Sequence, residues 1–318
     1  MRERLAAIDC GTNSLRLLVA DVEDGRLTDV VRRMEIVRLG QGVDRTGRLA
    51  PDAIERTRVV LAGYADEIVE LGAGRTRMVA TSASRDARNA ADFRAMVRAT
   101  LGVDPEVVSG DEEARLSFTG AVRGLTPQRS GKWSREQQFP GPYLVADIGG
   151  GSTELVCGTS TVDSAVSVDV GCVRITERHL HGDPPSRTEV AAAEADITAA
   201  IDRALSVVAG RSAGTLVGLA GSVTTVVAIA LGLPDYDPRR IHHARVGRAE
   251  VAKVTGDLLA MSRAGRLALP VMHPGRADVI GAGALILRVI MDRAGFDSVV
   301  ASEHDILDGI VWSLASLE

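Results

Sequence analysis

Ala7-Ile8-Asp9-Cys10-Gly11-Thr12-Asn13-Ser14-Leu15-Arg16-Leu17-Leu18-Val19, near the start of the chain, is echoed by Val145-Ala146-Asp147-Ile148-Gly149-Gly150-Gly151-Ser152-Thr153-Glu154-Leu155-Val156. The offset between the two is constant at 138 positions. In each copy an apolar run ends in Asp, a turn rich in Gly and in hydroxyl or amide side chains follows, and a second apolar run begins. This pattern predicts strand, tight turn, strand, with a turn whose glycines place no Cβ between the backbone and a ligand. Exposed backbone N–H groups in such a concavity suit phosphate oxygens, and an Asp at the strand end suits a hard cation beside them. Two copies in one chain point to two related domains facing each other across a phosphate-filled cleft.

Working outward from the repeat, 318 residues are enough for two domains, each with its own core. Runs at 5–9, 15–21 and 27–37 predict three antiparallel strands, followed by a helix over 51–71 with Pro51 in its first turn. A short strand over 78–80, a helix over 85–100, a strand over 106–109 and a helix over 111–122 complete a βββαβαβα order. That order is the one of a ribonuclease-H-like unit. Residues 126–142 are polar and rich in Gly and Pro, and predict an exposed connection. Strands then restart at 143–147, 154–157 and 165–169, with helices after them. A strand over 216–220 leads into Gly221-Ser222-Val223-Thr224-Thr225 and an apolar helix; a last strand over 299–301 precedes a last helix over 303–317. The expected fold class is α/β: two ribonuclease-H-like domains, of the actin, sugar-kinase and heat-shock-protein superfamily, flanking a phosphate-binding cleft. The domains are expected over 1–124 and 143–302, joined by 125–142, with 303–318 packing back near the first.

Composition narrows the function. The apolar fraction of 45% and charged fraction of 25% are those of an ordinary soluble protein. No apolar run reaches the roughly 18 residues of a membrane span, and Met1-Arg2-Glu3-Arg4 leads straight into the first strand without room for a signal peptide. Three cysteines, Cys10, Cys157 and Cys172, lack metal-ligand spacing and are expected to be reduced and buried, so a cytoplasmic location is expected. Net charge of −5 and aromatic content of 3% argue against nucleic-acid binding, whereas a local basic path can still hold an anionic substrate. Lysine occurs only at Lys132 and Lys253, against 35 arginines, and neither lysine has the glycine spacing of a Walker A loop. The six histidines show no zinc spacing, and no Ser/His/Asp or Cys nucleophile is indicated.

Six motifs in order carry a resemblance to the exopolyphosphatase / guanosine pentaphosphate phosphohydrolase (Ppx/GppA) family. They are Ile8 to Ser14; Ala80-Thr81-Ser82-Ala83-Ser84-Arg85 with Asn89; Ser109-Gly110-Asp111-Glu112-Glu113-Ala114; Asp147 to Glu154; Gly218 to Thr225; and Arg276-Ala277-Asp278-Val279-Ile280. Long family members continue into a helical HD-type region, so this chain resembles the short two-domain form. His304-Asp305 has no metal-spaced histidines around it.

The candidate site follows from the motifs. Ser109 and Glu112 have capping-box spacing, so Glu112 is expected to cap a helix. Glu113 lies about 100° further round that helix and, by resemblance, matches the family's catalytic base, which activates the attacking water. Asp147 and Glu154, on opposite sides of the Gly149-Gly150-Gly151 turn, are expected to offer oxygen ligands to Mg²⁺ or Mn²⁺, with Asp9 as counterpart in the first half. The competing reading is that these are turn-forming acids bonded to their own backbone. Phosphate oxygens are expected to meet the backbone and side chains of Gly11, Thr12, Asn13, Ser14, Gly149, Gly150, Gly151, Ser152 and Thr153. Arg16, from its family position, and Arg85, from a predicted strand-to-helix junction, are candidate clamps. Gly221, Ser222 and Arg276 are possible distal contacts. The implied activity is metal-assisted release of terminal orthophosphate from inorganic polyphosphate or guanosine pentaphosphate by a homodimer. A kinase of the same superfold and a non-catalytic phosphate sensor are the alternatives.

Overall fold

The computed structural model describes residues 2–125 and 139–316. It divides into two units, Met1–Gly120 with Ile306–Glu318, and Ala121–Asp305. Most of the expected connection lies outside the described residues.

Unit 1 opens with β1 (Glu3–Cys10), β2 (Ser14–Glu23) and β3 (Arg26–Ile36), then α1 (Val43–Thr46), α2 (Pro51–Glu70), β4 (Arg75–Ala80), α3 (Ser82–Asp86), α4 (Ala90–Leu101), β5 (Glu106–Val107) and α5 (Gly110–Val122). Its sheet order is β3-β2-β1-β4-β5, antiparallel among the first three and parallel from β1 onward. A central strand covered on both faces must be apolar on both. β1 obeys this, with Leu5 through Ile8 and Cys10 fully buried. The edge strand β3 mixes charged and apolar residues and buries none of them fully. On α2, Ala53, Thr57, Leu61, Tyr64 and Ile68 are buried at helical spacing and cover one sheet face.

Unit 2 repeats the programme with β6 (Tyr143–Ile148), β7 (Thr153–Gly158), β8 (Val162–Val168), α6 (Cys172–His179), α7 (Arg187–Val207), β9 (Thr215–Leu219), α8 (Ala220–Ala230), α9 (Pro238–Ile241), β10 (Arg245–Gly247), α10 (Arg248–Ala260), α11 (Arg263–Leu267), α12 (Ile280–Ala294) and β11 (Ser298–Ala301). The sheet order is β10-β11-β9-β6-β7-β8. Read from the β8 end, it is the order of unit 1 with one antiparallel strand, β10, added beyond the last parallel one. That extra strand carries no signal in the sequence beyond one valine flanked by Arg and Gly. α12 is apolar nearly all round and packs against both α7 and α10.

The last helix, α13 (Ile306–Ala315), belongs to unit 1, where it covers the second face of the sheet through Ile306, Leu307, Ile310, Val311 and Leu314. Gly309 allows the close approach: an added Cβ would meet the backbone of Leu116 in α5. Arg32 to Asp308 (2.9 Å) and Arg77 to Ser313 (2.6 Å) fix it to the sheet.

One expected helix is two. The run over 85–100 breaks between α3 and α4, because Asn89 turns back to Leu49, donating to its carbonyl (3.1 Å) and accepting from its N–H (2.9 Å). Arg85 therefore sits in the last turn of a short helix rather than at the start of a long one.

Candidate active site

The two loops of the repeat have the same turn bond. Gly11 N–H donates to Ser14 C=O and Gly149 N–H to Ser152 C=O, each at 3.0 Å. What sets their chemistry is where the remaining carbonyls go. In unit 1, Thr12 C=O accepts from Gly40 N–H (2.8 Å), and Asn13 C=O accepts from Val37 (3.1 Å) and Arg38 (2.9 Å). In unit 2, Gly149 C=O accepts from Cys172 N–H (2.9 Å), and Gly150 C=O accepts from Val173 (2.9 Å) and Arg174 (3.1 Å). Gly151 C=O accepts from the Arg174 side chain at 2.7 Å. In a trans peptide the N–H points opposite to its C=O. The N–H groups of Gly150, Gly151 and Ser152 are thus turned away from α6 in succession, as are those of Asn13 and Ser14 from the 37–40 segment. Successive N–H groups turned one way make an anion-binding concavity.

Glycines outside the motifs hold this arrangement. A Cβ on Gly171 would lie 2.6 Å from Gly151 N and closer still to the Gly150 carbonyl. A Cβ on Gly40 would collide with the Thr12 methyl and come to 3.0 Å from Ala83. Neither lies within the repeat, and close approach by a distant segment leaves no mark in local sequence, so sequence reasoning does not reach Gly171, Gly40 or Arg174. Gly171→Ala is expected to push the second loop out of position, costing about 1–3 kcal/mol of stability and weakening phosphate binding. Urea unfolding with phosphate calorimetry checks it, and an unchanged protein would remove Gly171 from the site.

Among the expected phosphate donors, some hydroxyls serve the fold. Thr153 is fully buried and donates to Val170 C=O at 2.6 Å, while Thr12 pairs with Ser82 at 2.9 Å. Ser152 is buried, and Asn13 and Ser14 are partly exposed.

The Asp at each strand end faces a different partner. Asp147 and Glu154 are direct cross-strand neighbours, 9% and 1% exposed, and the Ser167 hydroxyl donates to Glu154 at 2.7 Å. Directly opposed residues place their side chains on one face. Two carboxylates there form an all-oxygen donor set that fits a hard cation such as Mg²⁺, with phosphate and water oxygens completing the shell. No group of three or more His, Cys, Asp or Glu side chains suited to a metal occurs among the described residues. Asp9, expected as a counterpart ligand, is opposed by Arg16, whose Nη2 lies 2.6 Å and Nε 2.9 Å from Asp9 Oδ2. The Cys10 thiol beside it is pushed well up, by burial first and by the Asp9 charge second. All three cysteines are buried and free, and burial raises Cys157 and Cys172 too, so none is a ready nucleophile.

The α5 start separates its two acids. Glu112 N–H donates to the Ser109 hydroxyl at 3.2 Å, the serine half of the expected capping box, and the Glu112 carboxylate lies 3.6 Å from Arg77. Glu113 turns inward and is 8% exposed. Arg85 Nη1 bridges Glu113 Oε2 (3.1 Å) and Val108 C=O (2.9 Å), so Arg85 orients this carboxylate.

The distal residues of unit 2 come together as well. Arg276 donates to Thr225 at 3.3 Å and lies flat against Gly221, where any Cβ would strike its guanidinium. Ala220, just before, has φ 67°, a left-handed conformation at the strand-to-helix junction. Ser222 hydrogen-bonds the Cys172 thiol, and Cys172 N–H holds Gly149 C=O, so this group is tied to the second loop through α6.

The model of the Ppx/GppA phosphatase family matches residues 18–318. The chain belongs to the Ppx/GppA phosphatase family. It is similar to a Mycobacterium tuberculosis protein named Exopolyphosphatase 2, with 49% identity covering 98% of each chain. A crystal structure of an exopolyphosphatase-like protein superposes with a TM-score of 0.92 at 42% identity, covering 98% of both chains. The guanosine-5'-triphosphate,3'-diphosphate pyrophosphatase of Aeromonas salmonicida is 28% identical over 97% of this chain and 59% of its own length. This Ppx/GppA member therefore has the family's actin-like, two-domain α/β fold, and no described helix is long and apolar enough to cross a membrane.

Proposed function

We propose that this Ppx/GppA member is an exopolyphosphatase, hydrolysing the terminal phosphoanhydride of inorganic polyphosphate to release orthophosphate. The observation that carries the reading is the Asp147–Glu154 pair beside the turned N–H groups of Gly150, Gly151 and Ser152. Binding alone would not need two opposed carboxylates. The likeness to Exopolyphosphatase 2 over nearly the full length of both chains supports the same substrate class.

In this reading the loops hold phosphate oxygens through backbone N–H groups, with Asn13, Ser14 and Ser152 adding side-chain donors. Asp147 and Glu154 hold Mg²⁺ or Mn²⁺, which when bound stabilises charge developing on the transferred phosphoryl group. Glu113 accepts the proton of the attacking water, and Arg85 keeps its carboxylate in one orientation. Arg276 and Gly221 contact the distal part of the substrate. Buried free thiols suit a cytoplasmic setting; the homodimer rests on the family resemblance alone.

The Aeromonas relative favours a second reading, guanosine pentaphosphate as substrate of the same site. Phosphate release from each compound with Mg²⁺, beside an ATP-plus-acceptor control, separates these from a kinase and from a sensor. Early products that are orthophosphate alone are expected, whereas mid-length polyphosphate fragments would make the enzyme an endohydrolase and refute the proposal.

A further inference from the structure

Helix α3 begins where β4 ends, and the junction is tied to the root of the first loop. Thr81 N–H donates at 3.2 Å to the carbonyl of Cys10, the residue before Gly11. From this anchor α3 reaches two parts of the unit 1 site. Ser82 pairs with the Thr12 hydroxyl at 2.9 Å, and both residues are buried. Arg85, three residues on, holds the Glu113 carboxylate and Val108 C=O. Residues three apart on a helix are neighbours on its surface. A single turn of helix therefore separates the contact with the phosphate loop from the contact with the carboxylate.

We infer that α3 is the spacer that sets the first phosphate loop against Glu113, and that Ser82 is a positioning residue acting through Thr12. Thr12 is held at three points. Its methyl packs where a Cβ on Gly40 would collide, its carbonyl accepts from Gly40 N–H (2.8 Å), and its hydroxyl meets Ser82. The plane that carries the Thr12 carbonyl also carries Asn13 N–H, so the Ser82 bond bears on where that donor points. Burial raises the stakes, because a buried hydroxyl that loses its partner has little water to replace it. Ser84 supplies a contrast on the same helix: it is 1% exposed, and its hydroxyl has no hydrogen-bond partner among the described residues. The inference rests on the hydrolase reading for the role of Glu113.

Two double-variant cycles test it, one on calorimetry with inorganic phosphate and one on kcat. Ser82→Ala and Thr12→Val break the same hydrogen bond from opposite sides, and each is expected to weaken phosphate binding about threefold to tenfold. The double variant should then bind within about twofold of the weaker single one. Ser82→Ala should lower kcat by about tenfold or more, the effect of misplacing reacting groups. In a Glu113→Gln background the same change should cost less than about twofold, because the carboxylate being positioned is gone. Ser84→Ala should match wild type in both measurements. Urea midpoints identify a variant that fails to fold; Ser82→Cys then replaces Ser82→Ala, since a thiol is too weak a donor to keep the bond. Additive losses of phosphate binding would overturn the inference. So would an equal fall in kcat with and without the Glu113 carboxylate, or a Ser84→Ala variant as impaired as Ser82→Ala. If wild type hydrolyses neither polyphosphate nor guanosine pentaphosphate, the hydrolase reading fails, and the phosphate cycle still decides whether Ser82 acts through Thr12.

Discussion

Glu113→Gln is expected to lower kcat by about 10²–10⁴ while KM changes little. The amide keeps the shape of the side chain, and its carbonyl oxygen can still accept from Arg85 Nη1, now 3.1 Å from Glu113 Oε2. What is lost is the ability to take a proton from water. Glu112→Gln is the matched control, since the capping bond is made by its backbone N–H rather than its carboxylate. Its cost should be about 1 kcal/mol or less in stability, with turnover retained. Steady-state kinetics on both variants decide the assignment. Abolished turnover in Glu112→Gln alongside an active Glu113→Gln would reverse it.

On the proposed metal role, Asp147→Asn should lose turnover by at least about 10²-fold, since a divalent ion held there would supply several kcal/mol of charge stabilisation. Excess chelator should silence the wild-type enzyme to the same degree. The same substitution has an opposite effect on the fold. Without a cation, two carboxylates directly opposed across β6 and β7 repel each other, a penalty of about 0.2–1 kcal/mol for like charges in that position. Asp147→Asn removes one of them, so in chelator the variant should unfold at higher urea than wild type. Full wild-type activity in chelator would exclude the metal role. A variant both inactive and destabilised would mean that Asp147 serves the fold instead.

The duplicated hairpin was legible because its signals are local: Asp closing an apolar run, Gly and Ser in the turn, then a second apolar run. The succession of strands and helices after it was legible for the same reason, except for β10. The break between α3 and α4 was not legible, since apolar spacing runs on through it and the interruption comes from Asn89 bonding Leu49, 40 positions away. Helix geometry shows in sequence that Glu112 and Glu113 face different ways, and the family resemblance supplies the role expected of Glu113. The register of Arg16 opposite Asp9 is not legible in sequence, because it depends on where the turn closes, with Gly11 N–H meeting Ser14 C=O. The orientation of Arg85 toward Glu113 and Val108 is equally hidden in sequence, because it depends on how α3, β5 and α5 meet.

The peptide planes of the two loops also bear on how such a site drifts over generations. Donors that belong to the main chain survive almost any exchange of side chain, so Asn13 or Ser152 can vary while the cradle persists. The positions that keep the planes turned are Gly40 on one side and Gly171 with Arg174 on the other. Constraint on the cradle is thereby carried partly by neighbours of the loops and not by the loops alone. A descendant that kept every loop residue but replaced Gly171 would retain the loop sequence and hold its peptide planes less well.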